Sequence, residues 1–221
     1  MRREVDLKEI SDGRLYGAND LVKADCQDCI GCSDCCRGMG SSIILDPMDL
    51  WRITGYTGMG FSELLDTYLE LNLVDGVILP NLKLDGKGEA CAFLNREGRC
   101  GIHPARPGIC RLFPLGRIYE EDGFKYFLQI HECTRKERSK IKVKKWLQID
   151  NIRAYEAYVL AWHNTLKACE RVQKELTDEE RKVFLLYILK VFYQTPFESE
   201  DFYGEFYLRL EQVKVNLGIE I

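Results

Sequence analysis

The chain has 221 residues, of which 46% are hydrophobic and ten are cysteines. That composition is globular and excludes a disordered chain, and a formal net charge of −4 argues against a protein built for nonspecific nucleic-acid binding. No apolar run approaches the roughly 20 residues of a membrane span, and the charged start "MRREVDLKEISDG" lacks the apolar stretch of a secretory signal. Thiols without such a signal predict a reducing, cytoplasmic setting. There, clustered cysteines more often hold metal or do redox chemistry than form structural disulfides. No nucleic-acid partner and no membrane partner is expected.

Along the chain, the first feature is "CQDCIGCSDCCRG", Cys26 to Gly38, which holds five of the ten cysteines. Next, Asp46 followed by Pro47 is an N-cap with proline at the first helical position, so "DPMDLWRITG" predicts a short helix stopping at Gly55. Ser62 predicts the cap of a second helix, "SELLDTYLEL". "GVILPNLKLD" and "ACAFLN" read as short strands, with "NREGR" a turn before Cys100. "LGRIYEEDGFKYFLQI" predicts a β-hairpin with Asp122-Gly123 in its turn.

After the basic join "RKERSKIKVKK", Arg135 to Lys145, three helices are expected. Ile152, Tyr155, Val159, Trp162, Leu166 and Cys169 step by three and four and form one apolar seam. "TDEE" is a capping box with Thr177 as N-cap and Glu180 at N3. The helix it opens is apolar nearly all round (Val183, Phe184, Leu186, Tyr187, Leu189, Phe192), which predicts burial. Phe202, Phe206, Leu210, Val213 and Leu217 mark the third. The expected fold is α+β: a small irregular cysteine-rich module with short helices and a β-hairpin (residues 1–136), followed by a three-helix tail packing on it (residues 137–221).

The chemistry lies in the thiols. Cys29, Cys32 and Cys35 form C-x2-C-x2-C, a spacing that lets sulfurs reach one centre from a tight turn. It is the first part of the bacterial ferredoxin run, but Cys36 follows at once where ferredoxins continue with three residues and then Cys-Pro. Cys91, Cys100, Cys110 and Cys133 include no second C-x2-C, an unusual shape for structural zinc, although eight thiols would suffice for two tetrahedral zinc sites. The C-x3-C-x2-C of radical enzymes fails at Met39. "GYTGMGF" and "CRGMGSS" are weak as cofactor loops, and no glycine-rich strand–turn–helix fingerprint is present.

Other residues have plainer readings. Cys169, on a helix seam, is a buried apolar residue. Cys26 has no clear role. His103 is more readily a satisfied hydrogen-bonding group than a ligand, and His131 and His163 are structural. Pro107 limits Arg106 to extended geometry and stiffens the approach to Cys110. Arg37, Arg106 and Arg111 flank cysteines and would offset the charge of a thiolate-held cofactor; ordinary surface or carboxylate contacts explain them equally well.

"CIGCSDCCRG" taken with "CAFLNREGRCGIHPARPGICRLFP" resembles the CxxCxxCC, or YkgJ-like, cysteine-cluster proteins, which are described as zinc- or iron-chelating domains. The matching elements are Cys29, Cys32, Cys35 and Cys36; Cys91 with Phe93 and Leu94; Cys100 with Ile102 and His103; Arg106-Pro107; Cys110-Arg111; Phe113-Pro114; and Cys133. They span about residues 26–133, half the chain, and Cys26 itself falls outside the pattern. The resemblance implies a ligand pool of Cys29, Cys32, Cys35, Cys36, Cys91, Cys100, Cys110 and Cys133, holding a [4Fe–4S] cluster in preference to zinc. It extends to flagellin lysine N-methylase, which implies the alternative of an S-adenosylmethionine-dependent protein-lysine methyltransferase acting on a protein substrate. That enzyme is a considerably longer chain, and the helical tail here matches it by no motif.

Overall fold

Strand pairs and short helices fill the chain as far as residue 142, and long helices dominate beyond it, an α+β architecture. The structure is a computed structural model and describes residues 6–220 except 28, 86, 88 and 89. It opens with α1 (Leu7–Ile10), β1 (Ser11–Tyr16) and β2 (Leu21–Asp25). After the cysteine loop come α2 (Pro47–Thr57), α3 (Phe61–Thr67), β3 (Leu69–Val74), β4 (Val77–Leu82) and α4 (Gly108–Leu112). Then follow β5 (Leu115–Glu120), β6 (Gly123–Gln129), β7 (Ser139–Lys142) and α5 (Val143–Trp146). The last three helices are α6 (Ile152–Val172), α7 (Asp178–Leu189) and α8 (Phe202–Leu217).

Three antiparallel sheets are present among the described residues: β1-β6-β5, β2-β7 and β3-β4. Helix α2 begins where proline geometry predicts. The Asp46 carboxylate accepts from Asp49 N–H at 2.8 Å, the Asp49 carboxylate accepts from Asp46 N–H at 3.2 Å, and Pro47 opens the helix. The helix runs past Gly55 and ends at Gly58, whose φ of +72° permits the left-handed cap. The hairpin β5–β6 forms, with Glu120 opposite Gly123, so its two loop residues are Glu121 and Asp122, one step earlier than expected.

Two elements differ from the sequence expectation. The helix expected from Ser62 is shorter. Gly60 is its N-cap and it ends at Thr67, after which Leu69–Val74 is a strand. The cause is the next two residues: Asp75 and Gly76 have φ of +48° and +82° and join Val74 to Val77 in a two-residue hairpin turn. An Asp-Gly turn of this kind matches the twist of paired strands. "ACAFLN" makes no strand; it makes isolated bridges to different neighbours, Leu84 to Cys91 and Leu94 to Cys100, so no ladder propagates.

The tail helices bury their expected seams. Tyr155, Val159, Trp162 and Cys169 of α6 are buried, as are Phe202, Phe206, Leu210 and Val213 of α8. Helix α7 opens on its capping box, but its burial is one-sided. Phe184 and Leu185 are buried while Val183 is 69% and Leu186 45% exposed, so the outer face of this helix meets solvent. Trp162 meets Phe192 edge-on at 5.0 Å, and Tyr158 meets Phe206 at 4.7 Å.

The tail is bonded to the rest of the chain. Strand β7 pairs with β2, Met48 N–H donates to Tyr158 Oη at 3.1 Å, and Tyr193 Oη donates to the Leu45 carbonyl at 2.9 Å. One core includes Val22, Leu45 and Ile53 together with Trp162, Phe192 and Phe206. Among the described residues no helix is long and apolar enough to cross a membrane.

Candidate metal centre

The cysteine loop is a succession of tight turns. Ile30 N–H donates to the Gln27 carbonyl, Cys32 N–H to Cys29, Cys36 N–H to Ser33 and Arg37 N–H to Asp34, at 2.9 to 3.2 Å. Gln27 and Cys29 both have φ of +58°. This left-handed conformation is costly for a residue with a side chain. The turns bring thiols that are three residues apart round to one side, where the Sγ atoms of Cys26 and Cys29 lie 3.5 Å apart.

Backbone contacts bring the distant cysteines back to this loop. Cys91 N–H donates to the Cys36 carbonyl at 2.8 Å, and Arg37 bridges to Ala90. The "NREGR" turn closes as Asn95 N–H donates to the Arg99 carbonyl at 2.8 Å, and Leu94 bridges to Cys100. Cys110 lies on α4, whose first residue, Gly108, donates its N–H to Asp49 Oδ1 at 2.6 Å. The short helix is thereby tied to α2. Cys133 follows β6. Its neighbours anchor it: Thr134 Oγ1 donates to Asp34 Oδ2, and Arg135 Nη2 donates to the Ile30 carbonyl at 2.7 Å.

Nine thiols therefore share one neighbourhood. Cys35 lies near enough to Cys91, Cys100 and Cys110 for their charges to interact, and it hydrogen-bonds Cys36. Cys133 interacts in the same way with Cys26 and Cys32, and Cys29 with Cys26 and Cys35. Burial pushes the thiols of Cys91, Cys100, Cys110 and Cys133 above the ordinary cysteine range. It pushes Cys29 up to about 12. The Cys36 hydrogen bond is the largest influence raising Cys35. Buried thiols whose thiolates would repel one another lose their protons when a cation supplies the opposing charge, which is how metal binding and proton release are linked.

The three arginines separate. Arg106 is buried, has the extended backbone expected before proline (φ −54°, ψ 143°), and meets His103 Nε2 at 2.9 Å. Its charge acts on Cys29, Cys35 and Cys100. Arg37 is exposed and donates to Ser33 Oγ at 3.4 Å. Arg111 is 2% exposed and acts on the Asp46 and Asp49 carboxylates, so the structure places it in the polar core beside α2. Cys169 is wholly buried in α6, away from the loop.

Residues 28–134 match the CxxCxxCC family model, described as "Putative zinc- or iron-chelating domain". This stretch of the chain belongs to the CxxCxxCC family. No curated protein matches the chain, and no solved structure does.

The CxxCxxCC domain binds metal through its cysteines, and the donor set suits zinc or iron. All ten cysteines are free thiols, soft donors of the type that zinc and iron–sulfur centres take. Among the described residues, no three His, Cys, Asp or Glu side chains already stand as a finished metal site. The thiols are gathered rather than closed round a centre. Two residues of the site escaped sequence reasoning. Asp49 holds the helix of Cys110, and its only signal was its place in the capping box of α2. Cys26 is within sulfur contact of Cys29, and its signal was the three-residue rhythm that runs from Cys26 to Cys35.

Proposed function

We propose that the domain holds a [4Fe–4S] cluster on the thiols gathered about Cys35, namely Cys35, Cys91, Cys100 and Cys110, with Cys36 against Cys35. The observation that carries this reading is that backbone contacts return the 91–110 segment to the cysteine loop, with Cys91 N–H on the Cys36 carbonyl at 2.8 Å and Arg37 bridged to Ala90, so that Cys91, Cys100 and Cys110 come within charge range of Cys35. Such a cluster supplies one-electron transfer or an iron able to bind a ligand. Arg106 sets a buried cation against thiolates that are net negative, and Asp49 fixes the helix that presents Cys110.

The test is reconstitution of the full chain with iron and sulfide under anaerobic conditions. The wild type is expected to gain the broad visible absorption of an iron–sulfur cluster, and Cys110→Ser to lose most of it. A wild type that takes up zinc in preference, with no sulfide retained, would overturn the cluster in favour of zinc.

A further inference from the structure

We propose that Cys26, Cys29, Cys32 and Cys133 form a second, mononuclear metal site of the zinc tetrathiolate class, beside the centre built on Cys35. Cys26 precedes the residues matched to the family. The proposal rests on the reading of the domain as a metal binder and divides its thiols between two centres.

Three observations carry it. All four cysteines line one cavity of about 20 Å³, walled on its apolar side by Phe113, Pro114 and Trp146. That is room for one atom the size of a water molecule, about 10–15 Å³ on the same measure. It suits a single ion. Secondly, the Sγ atoms of Cys26 and Cys29 are 3.5 Å apart. With zinc–sulfur bonds of about 2.3 Å, the edge of a sulfur tetrahedron is about 3.8 Å, so this pair already stands near one edge.

Thirdly, the fold fixes the fourth ligand where it is needed. Thr134 and Arg135, next to Cys133, are bonded to Asp34 and to the Ile30 carbonyl of the cysteine loop. Cys26 is 8% exposed, so its thiol turns inward towards this cavity and not to solvent. Cys35 also reaches the cavity wall, which places the two centres side by side.

The test titrates cobalt(II), a coloured probe for zinc sites, into the anaerobically purified full chain after bound zinc has been stripped with chelator, because zinc outcompetes cobalt for the same ligands. Wild type, Cys26→Ser, Cys32→Ser and Cys91→Ser are compared, with iron and sulfide measured in each and folding checked by circular dichroism. Wild type is expected to give the absorption of tetrahedral cobalt with sulfur ligands. Cys26→Ser should weaken cobalt binding by more than the roughly 10–100-fold lost with a supporting hydrogen-bond partner of a ligand, leaving iron and sulfide unchanged. Cys32→Ser, at a partly exposed position, should do the same if Cys26→Ser folds poorly. Cys91→Ser should lower iron and sulfide and spare the cobalt.

No cobalt binding by the wild type, or unchanged binding in both Cys26→Ser and Cys32→Ser, overturns the site. Equal loss of both metals in Cys26→Ser and Cys91→Ser overturns the division into two centres. A chain with no iron or sulfide whose cobalt binding still depends on Cys26 upholds the site and overturns the cluster reading instead.

Discussion

Replacing Asp49 with alanine tests whether the buried contacts behind Cys110 hold the centre in shape. Asp49 is 2% exposed and its Oδ1 accepts the Gly108 N–H at 2.6 Å. Gly108 is itself buried, so truncation strands its N–H, at a cost of about 1–3 kcal/mol. Loss of the reciprocal bond from Asp46 N–H to Asp49 Oδ2 adds about 0.5–1 kcal/mol. The sum is roughly 2–4 kcal/mol, and losing a counter-charge beside the buried Arg111 adds to it. For a chain of this length the melting temperature falls by about 2–4 °C per kcal/mol, so the shift is on the order of 4–16 °C. The assay is a thermal melt of wild type, Asp49→Ala and Asp49→Asn in the presence of chelator. Asparagine keeps an oxygen for the Gly108 N–H and should lie between the other two. An Asp49→Ala melt within about 1 °C of wild type, against the 4–16 °C expected, would refute the reasoning. So would an asparagine variant less stable than the alanine one.

Other predictions follow from the same structure. Phe206 is fully buried among Tyr158, Trp162 and Phe192, so Phe206→Ala should cost about 3–5 kcal/mol in chemical denaturation. Burial lowers the folded-state pKa of His163, whose ring stacks on Tyr119 at 3.6 Å. The unfolded chain therefore binds this proton more readily, and stability falls as the pH drops through the ordinary histidine value near 6.5. Thermal melts at neutral and mildly acidic pH should show a drop that is smaller in His163→Gln. Arg106→Gln removes a buried cation whose charge acts on Cys29, Cys35 and Cys100; a reconstituted cluster should then be harder to reduce in a potentiometric titration. An unchanged potential removes this role from Arg106.

Local signals were legible wherever one residue has one structural use. Asp46-Pro47, the Thr177 capping box and the three-and-four seam of α6 each specified their element, because capping and helical burial act over a single turn. β3 was hidden because "LELNLV" follows a helix and is rich in leucine, which helices also favour. The deciding signal was Asp75-Gly76, whose positive φ values fit a hairpin and no helix. Val183 and Leu186 misled because side-chain type does not say which face of α7 finds a partner. The clustering of cysteines between Cys26 and Cys36 was readable from spacing. The return of the distant cysteines to that loop was not, since it depends on Thr134, Arg135 and the Cys91 backbone contacting the loop from about 55 to 105 residues away.

The most direct measurement is metal and acid-labile sulfide analysis of the full chain purified without oxygen, with its absorption spectrum. The account predicts a brown protein with about four iron and four sulfide per chain, together with about one zinc on the neighbouring thiols. A colourless protein carrying zinc alone, with no iron and no sulfide, would contradict it.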